Sequence, residues 1–186
     1  HSIYPKRADK QFFRTTVGNE QCLQPYSASI YNISAMSYGA LSKTAISSLN
    51  KGAQLGGFAH NTGEGGISDF HLEGGDLIWQ IGTGYFGCRN DDGTFSEQLY
   101  AEKTSFPRVK MIELKLSQGA KPGHGGLLPG EKNTPEIAKI RNIQPHIAVH
   151  SPAGHTAFSN SVELLYFLKK MRDLSKGKPV GFKICI

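Results

Sequence analysis

Four glycine-bearing loops hold most of the residues whose chemistry could make a ligand site. They read "SAMSYGALS", "NTGEGG", "IGTGYFG" and "QGAKPGHGG", and each follows a strand-like segment. Glycine lets a backbone approach a flat or anionic ligand closely and offers N–H donors to it. In parallel α/β proteins ligands lie at the carboxyl ends of strands, where such loops converge. The series predicts a ligand site, although any one of these loops could be a tight turn alone.

Charged side chains in or near these loops are the candidates for binding and catalysis. Lys121, Arg141 and Lys183 can hold anions. Arg141 could instead complement the dipole at a helix end, and Lys183 could lie exposed on an edge strand. Glu64 can accept a proton or hold an amine, and a solvated loop carboxylate is the alternative. "GTGYFG" has GxGxxG spacing without an acidic residue about 20 positions on, so it does not indicate a dinucleotide site.

Composition excludes several classes of protein. The chain has 186 residues, 38% of them hydrophobic, which suits one globular domain. Its net charge of +6 comes from scattered Lys and Arg residues without a long basic run, so an anionic small ligand is favoured over nucleic acid. No apolar run approaches the ~20 residues of a membrane span, so no membrane contact is predicted within this segment.

The cysteines and histidines do not form a metal pattern. Three cysteines are far apart, which indicates reduced thiols and a cytoplasmic location. His146 and His150 fall in a strand-like segment that would place them on one side but apart, and His124 lies in a glycine loop. We predict no metal site, and we interpret the histidines as structural or surface residues.

Secondary-structure signals alternate along the chain. Residues 1–27 are polar and aperiodic and are interpreted as an N-terminal arm, followed by one domain over residues 28–186. Helices are predicted at "SKTAISSLNKGAQLGG", "SEQLYAEKTSF", after Thr134-Pro135, and at "SVELLYFLKKMRDLSKGK". Strands are predicted at "SASIYNISAM", "FAHN", "DLIWQI", "RVKMIELKL", "IQPHIAVH" and "VGFKICI".

Alternating strands and helices predict a parallel sheet covered by helices. About four β/α units amount to half of an eightfold barrel or most of a small doubly wound sheet. Side-chain parity favours the barrel, because Glu113 and Lys115 share one face of their strand, and Lys183 likewise departs from an all-apolar pattern. We therefore expect a (β/α)8 TIM barrel of which this chain covers roughly the first half. Its two open sheet edges predict self-association.

Several of these motifs together resemble one family. "SAMSYGALS", "NTGEGG", "KLSQGAKPGHGGLLPG" with "TPEIAKIR", and "VHSPAGH" resemble, in order and spacing, the FMN-binding synthase domain of glutamate synthase. "YPKRADKQFFRTTVG" and "KPVGFKICI" further resemble the stand-alone bacterial glutamate-synthase-like branch. The resemblance covers roughly residues 30–186.

The resemblance implies a flavoprotein oxidoreductase that converts 2-oxoglutarate and ammonia, through 2-iminoglutarate, to L-glutamate. It implies that Lys121 and Arg141 bind the carboxylates of the 2-oxo acid and that Glu64 lies near the reacting carbon or the incoming amine, with Lys121 and Glu64 as catalytic residues. It implies an FMN site formed by the following residues: Ala35, Met36, Ser37, Gln118 and Lys183.

Departures from the family pattern leave alternatives open. Leu127 replaces a glutamine that helps hold the 2-oxo acid, so a related flavin enzyme acting on another 2-oxo or amino acid is possible. A non-catalytic assembly fragment is the other alternative. Cysteines for an iron–sulfur cluster are not among these residues, and such a cluster could come only from elsewhere in the protein. Because the first residue is His1, we expect the sequence to be a piece of a longer chain. The electron donor is not indicated.

Overall fold

A four-stranded parallel sheet organises the chain. The structure, a computed structural model, describes Tyr4 and residues 13–120 and 123–186. The strands are β1 Arg14–Val17, β2 Tyr26–Ser29, β3 Ala59–Asn61, β4 Asp76–Ile81, β5 Val109–Lys115, β6 Leu127–Leu128, β7 Val149–His150 and β8 Val180–Lys183. The α-helices are α1 Lys43–Gly56, α2 Glu97–Thr104, α3 Pro135–Arg141 and α4 Ser161–Leu174.

The order of strands in the main sheet follows the order of the chain. The sheet runs β3-β4-β5-β8, all parallel, and Ile33 adds a parallel bridge to His60 outside β3. A doubly wound sheet reverses its strand order at a switch point, and none occurs among the described strands. The mixed α/β fold with a parallel sheet is therefore as predicted, and its four strands are compatible with half of a (β/α)8 barrel. The predicted strand "SASIYNISAM" is not one of them: only its first residues are extended, in β2, which pairs antiparallel with β1.

The helices begin and end where their capping residues predict. Ser42, Ser96 and Thr134 each accept a hydrogen bond from a backbone N–H of the first turn of α1, α2 and α3. Gly57 ends α1 in the left-handed conformation. Helical spacing in α1 predicts that Leu55 shares an apolar face with Ile46 and Ala53, but Leu55 is 88% exposed.

The apolar core lies on the outer face of the sheet, under α2 and α4. Trp79 of β4 stacks on Tyr100 of α2 with ring centroids 5.5 Å apart. The buried side chains of this layer come from alternate strand positions and from the helices: Leu77, Trp79, Ile81, Ile112, Leu114, Tyr100, Phe167 and Met171. Alternation along β5 is as predicted, because Ile112 and Leu114 are buried while Glu113 and Lys115 face the other side.

The predicted arm has two parts in the structure. Residues 1–3 and 5–12 lie outside the described residues. Strand β1 pairs antiparallel with β2, and this hairpin covers the amino end of the inner face. Tyr26 packs there with Ala28 and Ala59, and its hydroxyl donates to Asp76 at 2.9 Å.

Two expectations about the second half of the chain are wrong. The segment 143–150 was predicted to be a strand of the sheet, but only Val149–His150 is extended, and it pairs antiparallel with Leu127–Leu128. Pro145 and the left-handed His146 (φ 63°) break the extended run, so His146 and His150 do not share a strand. Helical spacing in α4 predicts an apolar stripe made of Leu164, Leu165, Leu168, Met171 and Leu174, but Leu165 is 64% exposed and Phe167 is buried instead.

Candidate functional site

Loops from the carboxyl ends of the strands meet at one end of the sheet. A Cβ added to Gly63 would lie 2.8 Å from the backbone nitrogen of Ser37, which shows how closely the loops after Ile33 and β3 pack. A Cβ added to Gly84 would lie 2.9 Å from Ser151 Oγ. Since L side chains do not fit at these contacts, glycine permits the convergence that the sequence pattern predicted.

Glu64 and Lys115 form an ion pair at the centre of this mouth. Their Oε2 and Nζ atoms are 3.1 Å apart, and the side chains are 31% and 15% exposed. Gly82 lies directly beneath, because a Cβ there would be 2.3 Å from the same carboxylate oxygen. The carboxylate is thus held at the carboxyl end of β5 and is still open to a ligand.

A polar row on the inner face of the sheet lies below this ion pair. Glu113 Oε1 accepts hydrogen bonds from Gln80 Nε2 at 2.6 Å and from Asn61 Nδ2 at 3.0 Å. The register pairs Gln80 with Glu113 and Lys115 with Lys183, so all four side chains point to the inner side. A half-buried carboxylate with two amide donors is a stable part of the scaffold, and it makes the inner face polar.

Arg141 reaches the mouth from the last turn of α3. The residue is 8% exposed, and burial lowers the pKa of its guanidinium, an effect partly opposed by the charge of Glu64. Its Nη2 atom approaches the Tyr38 carbonyl at 3.4 Å. A Cβ added to Gly65 would lie 3.1 Å from Nη2, so this glycine makes room for the guanidinium. Arg141 therefore points into the loops and does not simply complement the helix dipole.

The loop 35–37 lies beside Glu64 and is fixed by its backbone. Met36 N–H donates to the Asn61 carbonyl at 3.1 Å. The Met36 carbonyl accepts from His71 Nε2 at 3.0 Å, since His71 Nδ1 is 3.2 Å from the N–H of Ser68 and accepts from it. Burial lowers the pKa of His71, which keeps the ring neutral and suited to this bonding.

The other predicted residues occupy different positions around the mouth. Gln118 and Glu64 both line a cavity of about 80 Å³ formed with the glycine loop 123–126. Lys183 is exposed at the β8 edge, level with Lys115. The Ala35–Ser37 loop is at the opposite edge, four strand spacings or roughly 19 Å away along the sheet. A single ligand touching both must cross the mouth. Lys121 lies outside the described residues.

No group of three or more His, Cys, Asp or Glu side chains that could hold a metal occurs in residues 13–120 and 123–186. Within the same part of the chain, no helix is long and apolar enough to cross a membrane. Cys22, Cys88 and Cys185 are free thiols.

Sequence patterns did not reveal the supporting contacts of Lys115, His155 and Tyr85. Lys115 was seen to face the polar side, but its partner Glu64 is distant in sequence. His155 Nε2 donates to the Lys115 carbonyl at 2.8 Å, and His155 Nδ1 lies 3.1 Å from the Tyr85 hydroxyl. Burial lowers the pKa of His155. The contact between His155 and the end of β5 leaves no local sequence signal.

The fold and this mouth define the chain as an α/β protein with a cationic, partly buried site at the carboxyl ends of a parallel sheet. The family model described as a conserved region in glutamate synthase matches residues 9–186. The chain belongs to the glutamate synthase family.

Relatives support this assignment over most of the chain. A glutamate synthase large subunit-like protein, YerD, of Bacillus subtilis (strain 168) is 45% identical over 171 residues, 90% of this chain and 32% of the relative. An archaeal-type glutamate synthase [NADPH] of Thermotoga sp. (strain RQ2) is 38% identical over 152 residues, 81% of this chain and 27% of that protein. A large subunit-like protein of Rhizobium meliloti (strain 1021) is 30% identical over 154 residues. The chain spans about a third or less of the length of these relatives.

Proposed function

We propose that this chain forms the first half of a flavin-bearing (β/α)8 barrel in an oxidoreductase that makes L-glutamate from 2-oxoglutarate and ammonia. The observation that carries the proposal is the convergence of Glu64 and Arg141 on adjacent glycine loops at the carboxyl ends of the sheet. Family membership supports the reaction class. We also propose a cytoplasmic location, supported by the free cysteines.

The site's charges suit a dianionic 2-oxo acid. The guanidinium of Arg141 has two parallel N–H edges that match a carboxylate. Lys121 is proposed to bind the second carboxylate. Glu64, held beside Lys115 at 3.1 Å, can take a proton from an incoming ammonium or amine as it attacks the 2-oxo carbon. Loss of water then gives the 2-imino acid, which needs a hydride and a proton to become the amino acid.

The residues present fit an FMN group. The backbone of the 35–37 loop packs closely on Gly63, an arrangement that suits close approach to a flat ring, and the inner face is polar. We propose that Ala35, Met36, Ser37, Gln118 and Lys183 hold the flavin, with the Lys183 ammonium favouring a reduced, anionic ring. When bound and reduced, FMN supplies the hydride.

The test uses the natural full-length protein with its flavin reduced by dithionite, so that the electron donor need not be known. Mixing with 2-oxoglutarate and ammonium should return the oxidised flavin absorbance and yield glutamate. Glu64→Gln should lower this rate about 100-fold, in the range of a lost acid–base group, while Lys139→Met, exposed on α3, should not. A protein that cannot be loaded with flavin, or equal rates in wild type and Glu64→Gln, would sink the proposal.

A related flavin enzyme for another 2-oxo or amino acid is the second candidate. Leu127, in place of the family's glutamine, favours it, because an exposed leucine at β6 offers no hydrogen bond to a carboxylate. A screen of 2-oxo acids of different length and charge separates the candidates. If 2-oxoglutarate is the substrate, Leu127→Gln should lower its KM or leave it unchanged; a better apolar 2-oxo acid would favour the second candidate.

A further inference from the structure

Arg141 is a buried cation whose charge is not neutralised by an acid. Its side chain forms no ion pair in the described parts of the chain, and its Nε atom has no hydrogen-bond partner there. The nearby carboxylate of Glu64 is engaged by Lys115 at 3.1 Å. The guanidinium has one long hydrogen bond, from Nη2 to the Tyr38 carbonyl at 3.4 Å. Because a buried charge is costly, a further contact is needed to stabilise it.

The ring of Phe86 takes that place. Arg141 Cζ lies 5.0 Å from the centroid of the Phe86 ring, within the range of a cation–π contact. Phe86 is 4% exposed, so the contact is shielded from water, and this shielding strengthens it. Arg89 Cζ lies 5.8 Å from the same ring, which therefore carries two guanidinium groups.

An aromatic partner and an acidic partner have different effects on a binding site. A carboxylate would fix Arg141 in position but would cancel its charge and occupy its N–H donors. A ring face offers no carboxylate to the guanidinium, so its charge is not cancelled, and the Nη donors that are not bonded to the Tyr38 carbonyl are left for a ligand carboxylate.

We propose that Phe86 is a positioning residue for substrate binding, which holds Arg141 by its ring face so that the guanidinium meets an incoming carboxylate with its full charge. The proposal rests on the proposed function, because it assigns the carboxylate to the 2-oxo acid. It predicts an effect on binding of the acid and not on the later hydride transfer.

The experiment compares Phe86→Leu with Phe86→Tyr in the full-length, flavin-loaded protein. Phe86→Leu should raise the KM for 2-oxoglutarate about tenfold, with kcat within about twofold, as expected when a desolvated cation–π contact is lost. Phe86→Tyr keeps a ring and should stay within about threefold of wild type. Phe95→Leu is the matched control, since it removes a ring of the same size that packs on Tyr85, Tyr100 and Phe167 without touching a guanidinium.

A double-mutant cycle separates positioning from a general packing effect. In an Arg141→Met background, Phe86→Leu should cause no further rise in the dissociation constant of 2-oxoglutarate, measured by flavin absorbance titration. An equal rise in both backgrounds, or a folded Phe86→Leu variant that binds like wild type, would overturn the proposal. If Phe86→Leu does not fold, Phe86→Met takes its place in both measurements.

A second readout needs no substrate and keeps the two proposals distinguishable. In wild type, the Arg141 side-chain protons should show an upfield ring-current shift in NMR spectra of arginine-labelled protein, and Phe86→Leu should abolish it. A protein that shows this shift but neither binds nor turns over 2-oxoglutarate would refute the proposed function and the assigned ligand together. An unshifted Arg141 in an otherwise active enzyme would refute the role of Phe86 alone.

Discussion

At the scale of single residues, the site is a set of charges with unequal partners. Glu64 has a cation, Lys115, at 3.1 Å, whereas Arg141 has a ring face. Sequence patterns identified Glu64 and Arg141 because both are charged residues near glycine-rich motifs. They could not identify Lys115 or Phe86 as their partners, because each contact joins residues about 50 positions apart and depends on how the sheet is folded.

Buried histidines make stability depend on pH. His60 is fully buried, neither ring nitrogen has a hydrogen-bond partner in the described segments, and burial followed by the charge of His71 lowers its pKa from 6.5 to about 4. As pH falls below 6.5 the unfolded chain binds a proton that the folded chain does not. Stability should therefore fall between pH 6.5 and about 4, by on the order of 3 kcal/mol from this residue.

Urea unfolding at several pH values checks this expectation. His60→Leu should reduce the slope of the unfolding free energy against pH by the contribution of His60, because leucine does not titrate. The substitution should lose no hydrogen bond, since neither ring nitrogen has a partner in the described segments. His150→Leu, at an exposed site, should keep the wild-type slope. His71 and His155, whose pKa values are also lowered by burial, contribute to the slope that remains. Equal slopes in wild type and His60→Leu would contradict the assignment.

At the scale of elements, capping residues predicted where helices start. Which segments become strands, and which side chains they meet, depends on long-range contacts that local patterns do not show. Ser42 and Thr134 were correct as caps because capping is local. The 143–150 segment was predicted incorrectly because only Val149–His150 is extended, paired antiparallel with Leu127–Leu128, and a left-handed His146 interrupts the run before it. Lys178 shows the same limit: its buried Nζ donates to the carbonyls of Thr104, Phe106 and Val109, contacts that no local pattern reveals.

Two glycines test the role of close packing at the mouth. Gly63 has φ +65°, and a Cβ there would meet Ser37 N at 2.8 Å, so Gly63→Ala should cost about 2 kcal/mol of unfolding free energy or more and disturb the 35–37 loop. Gly52, inside α1, has no atom within 4 Å of its added Cβ, so Gly52→Ala should gain about 0.5–1 kcal/mol. Urea denaturation and flavin titration measure both variants. An equal change of unfolding free energy in the two variants would show that the 35–37 loop can adjust to the added Cβ, and would contradict this expectation.

At the scale of the whole molecule, the sheet is open at β8 among the described strands. Parity, glycine loops and alternating elements predicted the parallel sheet and its polar inner side, since these signals repeat along the chain. The number of strands that pair, and the antiparallel hairpin β1–β2 across the amino end of the sheet, depend on contacts that the sequence does not display.

The β8 edge predicts self-association of the 186-residue chain on its own. Phe182 and Ile184 are 48% and 52% exposed there, next to unpaired backbone groups. The mass from light scattering should rise with protein concentration, and Phe182→Lys should reduce that rise. Leu55→Lys, on the exposed side of α1, serves as the control and should not. A monomeric mass at every concentration would contradict the expectation.

The placement of the apolar core on the outer face has one more consequence. Along β4 and β5, side chains alternate between the two faces of the sheet and have different roles on each. Trp79, Ile112 and Leu114 pack in the core, whereas Gln80, Glu113 and Lys115 shape the site. Within the second set, Glu113 is also tied to Gln80 and Asn61 by hydrogen bonds, whereas Lys115 stands at the mouth. New specificities are therefore best sought at Lys115, where a change can alter chemistry while the core and the Glu113 hydrogen bonds are kept.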